Sequence, residues 1–148
     1  MKILRRVAFG GLILLLIGYL VPEPVFIPVK GATAKDWNPK SFWYEPWGSS
    51  GTHKGVDIFA KKSTPVVATT HMWVLYKGVL SKGGNVVLGL GPKWRLHYFA
   101  HMQSIDEEIG IFVKAGQRFA TVGDSGNAKG KQPHLHYSIV SIMPLPWR

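Results

Sequence analysis

The sequence contains no cysteine. That removes disulfide staples, thiolate metal sites, cysteine nucleophiles and any lipid anchor carried on cysteine. Acidic residues are scarce as well: 8 Asp and Glu stand against 18 Lys and Arg, a formal charge of +10 with histidine neutral. Such a surplus suits an anionic partner, whether nucleic acid, membrane surface or acidic polymer, without choosing among them. Beyond residue 21 no long segment has a 3.6-residue hydrophobic period, which argues against a helical bundle. Charged residues make up 18% of the 148 and hydrophobic residues 46%, so one domain with a packed core is expected rather than a disordered chain. With 17 glycines and 10 prolines, turns and short strands are favoured. Six histidines in a chain without cysteine are the feature that needs explaining.

Lys2, Arg5 and Arg6 precede an uncharged run over residues 7–21, and Pro22-Glu23-Pro24 follows directly. This is the order of an export signal. As a helix the run is about 22 Å long, short of the ~30 Å hydrocarbon core, which favours a signal peptide. Against cleavage, the prolines come at once and the small-x-small tripeptide Ala32-Thr33-Ala34 lies well downstream. Residues 1–21 therefore read as a signal peptide or an uncleaved signal-anchor in the cytoplasmic membrane. The remainder is exported, to the periplasm or cell envelope. Removing the three leader cations leaves 15 basic against 8 acidic residues on that part, +7.

Residues 22–40 are rich in Pro, Gly and Ala and read as an extended tether; residues 41–148 read as the folded domain. Trp37, Phe42, Trp43, Tyr44 and Trp47 make a dense aromatic stretch at the junction. Packing along one edge of a small core is the expectation, with the wall of a substrate groove as the other reading. Short β-type runs follow at 56–60, 65–69, 73–76, 85–90, 95–101, 118–122 and 134–140, divided by turn-forming segments. Only 104–110 has the pattern of a helical turn. The expected fold is all-β: an antiparallel sheet forming a small sandwich or partial barrel, with an N-terminal hydrophobic leader helix.

Two histidine spacings carry chemistry. His53 and Asp57 are separated by Lys-Gly-Val, and Pro133 precedes His134-Leu135-His136. On a strand, side chains at i, i+2 and i+4 share a face, so each pair would present its polar groups to one side, with Leu135 turned to the core. Two imidazoles and a carboxylate match a catalytic zinc site with an open position, and other divalent metals are compatible. A third element, Arg95-Leu-His97-Tyr-Phe-Ala-His101-Met, places two more histidines on one face of an expected strand. Histidine is the natural side chain for proton transfer near neutral pH. His97 is expected at a partly exposed strand position, and His71, in an expected turn, has no role.

These residues resemble the lysostaphin/LytM-type zinc metallopeptidases, peptidase family M23. The likeness covers about residues 47–142. It includes His53–Asp57, Thr64-Pro-Val-Val-Ala68, Gly83-Gly-Asn-Val-Val87, Phe99-Ala-His-Met102, Val113-Lys-Ala-Gly-Gln117, Gly123-Asp-Ser-Gly126 and Pro133-His-Leu-His136. The resemblance implies that His53, Asp57 and His136 are the metal ligands for Zn2+. It also implies that His101 and His134 are the catalytic pair that positions or deprotonates the attacking water and stabilises the tetrahedral transition state. No HExxH motif is present, so no helical glutamate base is available. His71-Met72 stands where many relatives have a glycine turn, which puts the local loop geometry in question, and Met102 stands where leucine is usual.

The function implied is hydrolysis of peptide cross-links in bacterial peptidoglycan. A non-catalytic wall-binding or hydrolase-activating module on the same fold is the alternative, since some relatives have lost metal ligands; all five positions are intact here. A nucleic-acid partner is not expected behind an export signal, and no nucleic-acid motif is visible.

Overall fold

A computed structural model of the chain describes residues 1–47 and 51–142. The expected domain of 41–148 thus includes short stretches, 48–50 and 143–148, outside the described residues. Helix α1 spans Lys2–Leu20 and takes in the three cations as well as the apolar run. At 19 residues it is about 28 Å long, and by length and composition it can cross a membrane. Val21 turns extended (φ −60°, ψ 128°) because the residue before a proline is pushed out of the helical region.

Among the described residues eight strands follow: β1 Val56–Phe59, β2 Pro65–Val67, β3 Met72–Leu80, β4 Gly84–Gly91, β5 Arg95–Ile105, β6 Phe112–Val113, β7 Arg118–Val122 and β8 His134–Ser141. They pair antiparallel in the order β1-β8-β5-β4-β3-β6, while β7 joins both β5 and β2. The all-β expectation holds, with each of the seven expected runs forming a strand. Two local differences stand out. β6 is a two-residue strand not foreseen. The segment 104–110 makes no helix: β5 continues to Ile105, and the Asp106 carbonyl accepts the Ile109 N–H at 3.2 Å to close a turn.

β5 is the pivot. Its first half pairs with β8, from Arg95↔Ser141 to Ala100↔His136, and its second half with β7, from Met102↔Val122 to Ile105↔Ala120. Opposite β4, Phe99 faces Val87 and Met102 faces Asn85, so Ala100 and His101 together face one residue. This is a β-bulge, and His101 has φ +63°. Phe99, Met102, Phe119, Leu135, Ile58 and Val87 fill the core.

Residues 22–40, expected as an extended tether, are extended up to Val29, turn through a short 3-10 helix at Ala34–Asp36, and are laid along the sheet. The Phe26 N–H donates to the Thr69 carbonyl at 2.8 Å, and the Val67 N–H to the Pro28 carbonyl at 2.9 Å. Val29 bridges Val66 and is 1% exposed. The reason is apolar: Val29, Ala32 and Trp37 cover core that β2 leaves open at the sheet edge. Glu23, directly after α1, buries its carboxylate against Arg95 at 2.7 Å and Lys93 at 3.2 Å.

Candidate metal centre and its groove

Each polar side chain of the site arrives by a different route. Asp57 and His136 are directly opposed across the β1–β8 ladder, which puts them on one face. His134 shares that face two residues earlier, and Leu135 between them is fully buried, as the alternation requires. His53 precedes β1 in a loop rather than extending the strand. Its backbone is clamped instead by the aromatic stretch, the Trp43 N–H donating to the His53 carbonyl at 2.8 Å and the His53 N–H to the Tyr44 carbonyl at 2.9 Å. The aromatics divide their work: Trp37 packs on the core, Phe42, Trp43 and Tyr44 are exposed, and Trp47 lines the groove. Only Trp37 meets the core-edge expectation.

His53 Nε2 lies 3.1 Å from Asp57 Oδ1 and 3.1 Å from His136 Nδ1, and the last two are 2.8 Å apart. The Nδ1–H of His53 donates to the Ser41 carbonyl at 2.8 Å, so the ring turns Nε2 and its lone pair toward the other two donors. A proton on His136 Nδ1 serves Asp57 but leaves that lone pair among acceptors. A divalent cation serves all three. Tetrahedral ligands about 2.0 Å from an ion are about 3.3 Å apart, close to this triangle, so the donor set fits zinc in both chemistry and size. Burial raises the Asp57 pKa, but the His136 hydrogen bond and the charges of His134, His136 and His53 outweigh it and hold the carboxyl below its usual range.

His101 and His134 stand beside this triangle, their rings 5.0 Å apart edge to face. His134 Nδ1–H donates to the Gln132 carbonyl at 2.7 Å, and His134 Nε2 is 3.9 Å from Asp57 Oδ1. His101 Nδ1–H donates to the Ser125 carbonyl at 2.9 Å. In both rings the carbonyl takes up Nδ1 and leaves Nε2 as the second ring nitrogen. Burial lowers the His101 pKa to about 4, the Ser125 carbonyl opposing only part of it, so the ring is neutral at pH 7.

The bulge explains how His101 reaches the groove. In a regular strand it would share a face with His97 and Phe99, as the i, i+4 spacing led us to expect. Instead Phe99 and Met102 both point to the core and His101 lines the groove with Tyr98 and Ala100. The distortion is pinned. The His101 N–H donates to the Gly83 carbonyl at 2.8 Å, and Asn85 Nδ2 donates to the Met102 carbonyl at 3.0 Å. Ser125 is held by the close approach of two turns: Gly84 (φ +65°) and Gly126 (φ +66°) touch backbone to backbone, where a Cβ on either would lie 2.4 Å or less from the other's nitrogen.

His97 is the clear correction. It is 1% exposed, not partly exposed, with Nδ1 2.7 Å from the Tyr137 hydroxyl, on the core side away from the groove. His71 takes no part in the site: its Nδ1 accepts the Ala115 N–H at 3.2 Å, and neither it nor Met72 adopts a positive φ.

The groove has a volume of about 820 Å³. Trp47 forms part of its wall, stacked on His53 at 4.2 Å between ring centroids with 19° between planes. Tyr98 lies across from it, its ring 6.3 Å from His136. Tyr98 carries no signal of its own in the sequence; ahead of the bulge it is the even positions of β5, Tyr98 and Ala100, that face the groove.

Residues 51–143 match the model of peptidase family M23. The chain belongs to that family. Among M23 relatives, lysostaphin from Staphylococcus simulans is 31% identical over 103 residues, covering 66% of this chain and 20% of its own. Murein hydrolase activator NlpD from Escherichia coli is 31% identical over 105 residues, covering 70% of this chain and 27% of that protein. The chain thus spans about a fifth to a quarter of these relatives. Among solved structures, the catalytic domain of the antimicrobial peptidase lysostaphin from Staphylococcus simulans superposes with a TM-score of 0.60 at 28% identity, over 68% of this chain and 77% of that one. The M23 match begins at Gly51, so Ser41 and Trp47, which hold and stack on His53, lie outside it.

Proposed function

We propose that the chain is an exported zinc metallo-endopeptidase that hydrolyses peptide cross-links of bacterial peptidoglycan. The observation that carries this reading is the convergence of His53 Nε2, Asp57 Oδ1 and His136 Nδ1 within 3.1 Å of one another, with the rings of His101 and His134 beside them. His53, Asp57 and His136 are the ligands. When bound, zinc supplies Lewis acidity, acidifying a water and polarising the scissile carbonyl.

The protein's own groups do the rest. His101 Nε2 accepts a proton from the attacking water, and the Ser125 carbonyl steadies the imidazolium through Nδ1–H. His134, held by Gln132, directs its Nε2 to the same side and positions the attacking water, and the proton that His101 has taken passes to the leaving amine as the C–N bond breaks. Trp47 and Tyr98 flank the centre and orient an extended peptide along the groove. The +7 of the exported part draws it to an anionic wall polymer.

The test is mass spectrometry of muropeptides after digestion with zinc-loaded protein. Loss of cross-linked species, abolished by a chelator and restored by zinc, is expected; intact muropeptides with stoichiometric zinc overturn the reading. A second reading, an activating module, draws on the likeness to a murein hydrolase activator. Full function in a cell carrying His101→Ala with His134→Ala would favour it.

A further inference from the structure

The exposed apolar residues outside α1 include a group gathered at one end of the sheet. The β4–β5 turn, the start of β3, the end of β8 and β6 all meet there, because Trp73 pairs with Leu90 and Phe112, and Arg95 pairs with Ser141. Trp73, Phe112, Val140 and Ile142 are each about half exposed on this rim (54%, 45%, 56% and 53%), and Ile111 is 79% exposed beside them. Scattered exposed apolar residues are ordinary, but several gathered at one end of a sheet offer a contact surface.

The same end is where α1 is attached. Trp94, in the β4–β5 turn, donates its indole N–H to the Leu15 carbonyl at 3.0 Å and packs on Gly18. Leu15 lies five residues inside the helix end, about 8 Å along the axis. No free linker intervenes, because Glu23 is locked to Arg95 and Lys93 and Phe26 to Thr69.

We infer that this rim docks on a phospholipid bilayer and stands the domain end-on against the membrane that holds α1. The inference rests on the uncleaved signal-anchor, one of the two readings the sequence of α1 allows. The Trp94 turn, bonded within the last turns of α1, stands at the interfacial end of the helix, where tryptophan rings and interfacial apolar faces settle. Lys93 and Arg95 against the single Glu23 leave one positive charge toward anionic headgroups. The groove lies at the opposite end of the same strands, by Lys82 and Gln132. His136 is five residues from Ser141, so the reaction centre stands about 16 Å along the strand from the docked rim. The substrate is then peptide within a few nanometres of the membrane, not wall reached through a long leash.

A cysteine-free chain permits a clean test. Single variants Leu14→Cys in α1, Val140→Cys and Ile111→Cys on the rim, and Val79→Cys at the far end of β3 are each labelled with a small fluorophore. The full chain is reconstituted into phosphatidylethanolamine/phosphatidylglycerol vesicles containing brominated lipid. Quenching at 14, 140 and 111 about threefold or more above that at 79 is expected, and Glu23→Gln should lower it at 140 and 111 alone. Strong quenching at 14 with none above the level of 79 on the rim overturns the docking while leaving the anchor intact. No quenching at 14 overturns the anchor itself.

Discussion

The carbonyl of Ser41 accepts the Nδ1–H of His53 at 2.8 Å, fixing which nitrogen of that ring faces Asp57 and His136. Trp47 completes the support by stacking on the other side of the bond, 4.2 Å between centroids. The orientation of one proposed ligand thus depends on residues upstream of the family's matched region. Removing such support costs roughly 10- to 100-fold in metal affinity. Trp47→Ala should weaken zinc binding by about tenfold or more, measured by competition with a chromogenic chelator, with the circular dichroism of the fold unchanged.

Metal binding should also be legible as stability. An ion that binds only the folded state at about 100 times its Kd adds about 2.7 kcal/mol. For a chain of this size that raises Tm by about 5–10 °C. Zinc should produce this shift in the parent protein, and His136→Ala should abolish both the shift and the activity. An equal shift in the variant would place the ion elsewhere.

His101 separates chemistry from metal binding. It is bonded to Ser125 and does not belong to the His53–Asp57–His136 triangle. His101→Ala should therefore keep zinc affinity within about twofold while cross-link hydrolysis falls by about 10²–10⁴. The two are read on one sample, by metal analysis and by the rate of muropeptide loss. A variant that loses zinc in parallel with rate would make His101 a ligand instead.

The sequence was informative wherever period-2 alternation governed, and silent where the backbone departs from it. Asp57, His134 and His136 share a face because β1 and β8 are regular, and Leu135 turns inward for the same reason. His97 and His101 looked alike by spacing. The bulge at Ala100–His101 sent them to opposite sides, and a non-glycine residue at φ +63° carries no local signature. The support of His53 was equally hidden, since a backbone carbonyl such as that of Ser41 is available from any residue type. The segment 22–40 misled by composition: proline and glycine describe an extended chain but not whether Val29 finds a core to enter.

His97 gives the fold a pH dependence whose sign can be worked out. Burial is the main cause that lowers its pKa from 6.5 to about 4, Glu23 opposing and Arg95 assisting. Between those values the unfolded chain binds the proton and the folded chain does not, so acidification favours unfolding. The contribution is absent above pH 6.5, grows as pH falls through the window, and is complete below about 4. A shift of this size corresponds to about 3 kcal/mol. Burial lowers the His101 pKa to about 4 as well, so the comparison must be with a variant that keeps a partner for the Tyr137 hydroxyl but does not ionise. His97→Gln should show a urea midpoint that falls less steeply between pH 6.5 and about 4 than that of the parent. Parallel midpoint curves would assign the acid sensitivity to His101 instead.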